Sequence, residues 1–244
     1  MRLFGIDPAP AKNSLLFDGD EFFSFNSKEL KEFLNQNVKR DTLISWDAPL
    51  GDNFEESLSY KPIEKILNAK ANYKNNQKPP RGISTLPFSQ CPHWTISQYV
   101  LGYPIINNDI VDYKKLKYHL VQNNTLSTIK PNLFETHPAY SIWLFTKDRL
   151  DEFEYKKSKK IFAQIVDALF EIKDIKKYNF IKRKIINDDY LDSFIAFINL
   201  ELFLEKKAFV YGNSRQGAML LPKLDGILKD DILNKLIQND RYKL

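Results

Sequence analysis

Cysteine is nearly missing from this chain. Cys91 is the only one, which excludes an intramolecular disulfide and any multi-cysteine zinc site and fits a reducing compartment. Long apolar runs are missing too, since none approaches the roughly 18 residues of a membrane span. The opening MRLFGIDP lacks the apolar stretch and cleavage site of a signal peptide. Together these absences predict a cytoplasmic protein with no membrane partner. No internal repeat, low-complexity tract or heptad pattern is present, so nothing in the sequence sets an oligomeric state.

What is present suffices for a substantial core. The chain has 244 residues, 43% of them hydrophobic, which predicts one domain, residues 1–244, with an insertion at about 50–130. The net charge of +5 is unevenly spread. Residues 61–82 hold six Lys or Arg against one acid and residues 147–184 hold twelve against seven, so each segment carries +5 and the remainder −5. Two basic segments on an acidic body suit a polyanion laid across an acidic centre. A solvated, lysine-rich surface accounts for the same charge.

Periodicity supplies the elements. Leu3, Phe4 and Ile6 read as a buried strand that ends at Asp7, where Pro8 stops the pairing. Two β-like runs, 14–17 and 21–25, flank Asp18-Gly19-Asp20, a hairpin signal, so the first three strands are expected to form an antiparallel meander. Ser27 offers an N-cap to a helix with Leu30, Phe33 and Leu34 on one face. Thr42 to Trp46 reads as a fourth strand, again ending in an acid before proline, Asp47-Ala48-Pro49. From about 50 to 130 the pattern is irregular, with a helix expected at 60–73 and a loop through Lys78-Pro79-Pro80-Arg81-Gly82. A strand, Asn132-Leu133-Phe134-Glu135, then precedes a helix after Pro138, and further helices are expected at about 156–172 and 189–206.

A carboxylate at a strand end is either a turn residue or half of a site. If their strands run parallel, Asp7, Asp47 and Glu135 line one edge of a sheet, and the last helix can bring Asp192 to the same edge. Asp189 shares that helix face three residues earlier, where the helix dipole alone favours an acid. Clustered carboxylates raise one another's pKa unless cations neutralise them, and hard oxygen donors suit Mg²⁺ or Mn²⁺. Two such ions about 4 Å apart can activate water and stabilise the leaving oxygen in phosphodiester cleavage.

Five stretches carry a family resemblance: Gly5-Ile6-Asp7-Pro8-Ala9, Trp46-Asp47-Ala48-Pro49-Leu50-Gly51, Phe134-Glu135-Thr136-His137-Pro138-Ala139, Asp189-Tyr190-Leu191-Asp192 and Gly217-Ala218-Met219-Leu220-Leu221-Pro222. In that order they resemble the DUF429 family, predicted nucleases of the RNase H-like superfamily, over about residues 3 to 222. The resemblance implies an α/β fold, an RNase H-like mixed sheet with an N-terminal antiparallel meander followed by parallel strands, flanked by helices. It also implies that Asp7, Asp47, Glu135 and Asp192 are the metal-binding acids, with Asp189 as a possible accessory. Two positions depart from the family pattern: Ser193 follows Asp192 where alanine is common, and Lys61 stands before Glu64 where an arginine is common.

The expectation is therefore a metal-dependent phosphodiester hydrolase acting on DNA or RNA, with Asp7 bridging two Mg²⁺ or Mn²⁺ ions. Glu135 and Asp192 would each hold one, and Asp47 would ligate or orient a water. His137 is either a proton carrier or a residue making a local hydrogen bond at the helix start. Lys12, Lys61, Lys65 and Arg81 are candidate phosphate contacts, and Trp94, Tyr99 and Tyr103 could stack bases or pack a core. Two alternatives stand beside this reading. One is an RNase H-like binding or scaffold protein without catalysis. The other is an actin-like ATPase or kinase relative, against which the chain offers Pro8-Ala9-Pro10-Ala11-Lys12 in place of a glycine-rich phosphate loop.

Overall fold

Strand alternation and turn chemistry build the first third of the molecule. In the computed structural model, which describes residues 1–51, 62–77, 79, 92–106, 110–213 and 217–237, Arg2–Asp7 (β1), Ser14–Phe17 (β2) and Phe22–Phe25 (β3) form the expected antiparallel meander. Asp18 makes the β2–β3 turn by accepting the backbone N–H groups of Asp20 and Glu21. Helix α1 (Ser27–Asn37) is capped by Asn26 and not by Ser27. The Asn26 side chain accepts from the N–H groups of Lys28 and Glu29, and Glu29 Oε2 accepts from the Asn26 N–H at 2.9 Å. That reciprocal box needs an acid or amide three residues on, which Asn26 has and Ser27 lacks.

Strand β4 (Thr42–Trp46) runs parallel to β1 and is buried along its whole length. Helix α2 (Pro62–Asn68) stops short of the expected 73, and Lys70–Asn72 forms a separate 3₁₀ turn. The Asn72 amide and the Tyr73 hydroxyl donate to the carbonyls of Ile66 and Leu67, which takes the acceptors a longer helix would use. Helix α3 (Pro92–Leu101), a small antiparallel pair β5 (Ile105–Ile106) and β6 (Ile110–Val111), and β7 (His119–Leu120) follow. Strand β8 (Asn132–Glu135) lies between β4 and β7, parallel to both. Part of the 50–130 segment thus extends the main sheet, whose order is β3-β2-β1-β4-β8-β7.

Helix α4 (Pro138–Thr146) precedes α5 (Lys159–Phe170), α6 (Lys173–Lys176) and α7 (Asp188–Leu204). Ser158 caps α5 by accepting the Ile161 N–H, so the helix starts three residues later than expected and leaves Tyr155 and Lys156 in the preceding turn. The hairpin β9 (Ala208–Asn213) and β10 (Gly217–Pro222) and helix α8 (Asp230–Ile237) complete the chain. The fold is α/β, a mixed sheet with antiparallel then parallel strands flanked by helices.

Both faces of the central strands are covered by helices. Leu30 and Leu34 of α1 and Val100 and Leu101 of α3 pack with Phe4, Ile6, Ile44 and Trp46 on one face. On the other, Phe194, Ile195 and Ile198 of α7 pack with Phe17, Leu43 and Phe134. Helix α7 lies unusually close to β1 because residue 5 has no side chain: a Cβ there would collide with the backbone O of Ser193 and the backbone N of Phe197. Buried Asn199 pins the same helix, donating to Thr136 Oγ1 at 2.8 Å and Ser141 Oγ at 2.9 Å. Among the described residues no helix is long and apolar enough to cross a membrane.

Candidate active site

The register of the parallel strands decides where the strand-end acids stand. Ile6 pairs with Trp46 across β1 and β4, and Trp46 pairs with Glu135 across β4 and β8. The ladder continues one step further through Asp47 N–H to the Ile6 carbonyl at 2.9 Å and Thr136 N–H to the Trp46 carbonyl at 3.1 Å. Asp7 and Asp47 therefore sit side by side at the C-terminal ends of adjacent parallel strands, whose spacing is about 4.8 Å, with Thr136 level with them on β8. Glu135 stands one residue earlier, level with Trp46, so strand alternation turns it toward the opposite sheet face, where it meets Leu50. Asp192, 1% exposed, reaches the same edge from the second turn of α7, which the bare backbone of Gly5 lets lie against β1. Asp7, Asp47 and Asp192 are brought together on the α7 side of the sheet, whereas Glu135, expected beside them, is turned to the other face and acts only on Asp47.

Each acid is held differently. Glu135 Oε2 accepts the Leu50 N–H at 2.9 Å, and the Leu50 carbonyl in turn accepts from the Tyr103 hydroxyl at 2.6 Å. Both oxygens of Asp192 are engaged, Oδ1 by the Tyr155 hydroxyl and Oδ2 by Lys156 Nζ, each at 2.7 Å. Asp189 binds Lys12 Nζ through both oxygens at 2.6 Å. Lys156 Nζ also stands 4.0 Å from Asp188.

Charge is poorly balanced here. Burial pushes the Asp7 carboxyl well above the usual carboxylate range, and the charges of Asp47, Asp192 and Asp189 push it further, with Lys156 only partly offsetting them. Burial likewise raises Asp47, with Asp192 and Glu135 adding to the effect, and burial raises Asp192 despite its bonds to Lys156 and Tyr155. Among the described residues, the carboxylates of Asp7, Asp47, Asp188, Asp189 and Asp192 face the ammonium groups of Lys12 and Lys156.

Sequence reasoning passed over Tyr155, Lys156 and His93. The first two lie in a turn, where no periodicity marks them, and the only signal was the basic excess of residues 147–184. His93, on the first turn of α3, is held below the usual histidine range by burial and then by the charges of Lys156 and Lys12, which places it at the rim of the same site.

His137 is the N-cap of α4, its Nδ1 accepting the Tyr140 N–H at 3.3 Å. Burial, followed by the charge of Lys156, lowers its pKa to about 4, so the ring is neutral at ordinary pH and suited to that acceptor role. His137→Ala is expected to cost about 1 kcal/mol and His137→Asn much less, because asparagine also caps. Urea denaturation of the two variants checks this, and Mn²⁺ binding should survive in both.

Of the candidate phosphate contacts, Lys12 is held by Asp189, Lys65 is exposed on α2, and Lys61 and Arg81 lie outside the described residues. Trp94 and Tyr103 pack edge to face at 5.5 Å, and Lys31 Nζ covers the Tyr99 ring at 4.4 Å, so all three aromatics are in intramolecular use.

The donor chemistry fits a hard divalent cation. Asp7 and Asp47 offer oxygens that burial and mutual repulsion leave short of positive charge, and Asp192 stands beside them on the α7 side. Among the described residues no three such side chains are already gathered as a ligand set, and Lys156 is the cation in contact with Asp192. Family models, curated proteins and solved structures return no match to the chain, so the DUF429 resemblance rests on its five motifs alone.

Proposed function

We propose that this chain is a metal-dependent phosphodiester hydrolase, a nuclease of the RNase H-like DUF429 type acting on DNA or RNA. One observation carries the reading: Asp7 and Asp47 from adjacent parallel strand ends and Asp192 from α7 meet where burial and neighbouring charge raise the proton affinity of Asp7 and Asp47, with Glu135 acting on Asp47 from the next strand. A fold that needed only stability would gain by replacing such a cluster, so its presence argues for a ligand that offsets the charge. Mg²⁺ or Mn²⁺ bound there would supply the Lewis acidity that activates water and stabilises the leaving oxygen. Asp7 and Glu135 would hold the cation, while Asp47, on the strand between theirs, would ligate it or orient the attacking water. Tyr155 and Lys156 fix the carboxylate plane of Asp192.

The test is calorimetric titration of Mn²⁺ into wild type and Asp7→Asn, followed by incubation of both with mixed DNA and RNA oligonucleotides. Asp7-dependent binding and cleavage are expected. Absence of Asp7-dependent heat up to millimolar Mn²⁺, with oligonucleotide present, overturns the proposal. A binding role without hydrolysis draws on one observation, that both Asp192 oxygens are already satisfied within the protein. Oligonucleotide binding with no cleavage at any Mn²⁺ concentration would favour that role.

A further inference from the structure

We infer that Lys156 fills one of the two cation positions of this carboxylate centre, so that the site takes a single divalent cation beside the lysine's ammonium group. The inference rests on the metal-dependent reading above and goes beyond it by fixing the number of ions and giving Lys156 a part. A two-ion centre places a cation against each side of the acid cluster. On the Asp192 side that place is taken: Lys156 Nζ lies 2.7 Å from Oδ2 and 4.0 Å from Asp188, and its charge also acts on Asp7 and Asp47.

The lysine is built in. The turn that carries it is closed by Tyr155 N–H to the Phe153 carbonyl at 2.9 Å, Lys157 N–H to the Glu154 carbonyl at 3.0 Å and Ser158 N–H to the same carbonyl at 3.3 Å. The neighbouring Tyr155 hydroxyl takes the other Asp192 oxygen, so one turn supplies donors to the whole carboxylate. An ion entering there would have to displace two hydrogen bonds, one of them charge-assisted.

The opposite side differs. Among the described residues no side chain donates to Asp7 or Asp47 as Tyr155 and Lys156 do to Asp192, the field of Lys156 reaches them only from a distance, and they repel each other. A +1 ammonium on one side and a +2 ion on the other would offset the cluster while leaving an N–H donor, in place of a metal, for a phosphate oxygen at the Asp192 side. Lys156 would then act as a charge-bearing catalytic group toward the phosphodiester.

Stoichiometry decides. Mn²⁺ is titrated calorimetrically into the full chain, alone and with a nucleoside 5′-monophosphate to supply phosphate oxygens, and the bound ions are read by electron paramagnetic resonance. Wild type is expected to bind one ion in both conditions, with the signal of an isolated Mn²⁺. Lys156→Met, which keeps the stem and drops the charge, is expected to bind two spin-coupled ions, and Lys156→Arg one. Lys156→Gln serves as the charge-free variant if the methionine form does not fold. Two coupled ions in wild type would overturn the inference while the metal-dependent reading stands, because Lys156 would then be a displaceable counterion. One ion in both wild type and the charge-free variant would overturn it in the same way. No Mn²⁺ in wild type removes the reading and the inference together.

Discussion

Gly5→Ala is expected to lower stability by about 3 kcal/mol or more, a large share of the roughly 5–15 kcal/mol that holds a domain folded. The added methyl group has nowhere to go: it meets the backbone O of Ser193 and the backbone N of Phe197, and neither can rotate away as a side chain would. Relief requires α7 to lift from β1. That helix carries Phe194, Ile195 and Ile198 into the core and Asp192 into the acid cluster, so the cost spreads to both. Any variant that survives should bind Mn²⁺ more weakly even though residue 5 offers no ligand, because Asp192 and Asp7 are aligned through this contact. Gly226→Ala is the control. Gly226 has φ +77° but open space around its Cβ position, so only the left-handed backbone penalty of about 1 kcal/mol is expected there. Urea denaturation of both variants separates collision from conformation. A Gly5→Ala cost no larger than that of Gly226→Ala would show that α7 can move freely, and that the acids are not held in register by it.

The parts of this architecture that were legible in the sequence are those with local signals. The meander followed from Asp18-Gly19-Asp20, and β4 and β8 followed from short apolar runs that each stop at an acid. The pairing of Asp7 with Asp47 followed once their strands were taken as parallel, which the register bears out, whereas Glu135, expected beside them, stands one residue out of register on the other face. What escaped was carried by turns and by distant partners. Asn26 displaced Ser27 as a cap because a residue three positions ahead decides the box. Helix α2 ended early because the Asn72 and Tyr73 side chains reach back to its carbonyls. Lys156 is 36 positions from Asp192 in the chain and belongs to no periodic element, so only the folded turn shows that it faces the acids. The closeness of α7 to β1 was equally silent, since a glycine inside a strand reads as a weakness until the helix above it is known.

Asp7→Asn is expected to do two opposite things: abolish Mn²⁺ binding and make the metal-free protein more stable at neutral pH. The sign follows from the raised pKa. An unfolded aspartate titrates near 4, whereas burial and the neighbouring acids hold Asp7 well above that in the fold, so between the two values the folded state binds more protons than the unfolded one. Stability therefore falls as pH rises through that window, and at neutral pH burial of this carboxyl is a net cost. Asparagine is close in shape and carries no charge, so it removes the cost, and each pKa unit relieved is worth about 1.4 kcal/mol. For a chain of this length about 1 kcal/mol corresponds to roughly 2–4 °C in Tm. The gain should shrink toward pH 4, where the wild-type carboxyl is protonated, and should be reversed by saturating Mn²⁺, which stabilises only the wild type. Loss of an interaction worth several kcal/mol in the transition state predicts cleavage slowed by about 10³-fold. Thermal melts across pH with and without Mn²⁺ read all of this except the rate. A lower Tm for metal-free Asp7→Asn would mean that the carboxylate is chiefly a partner of Lys156 and a structural element, and the acid cluster would then be a salt-bridge network in place of a cation site.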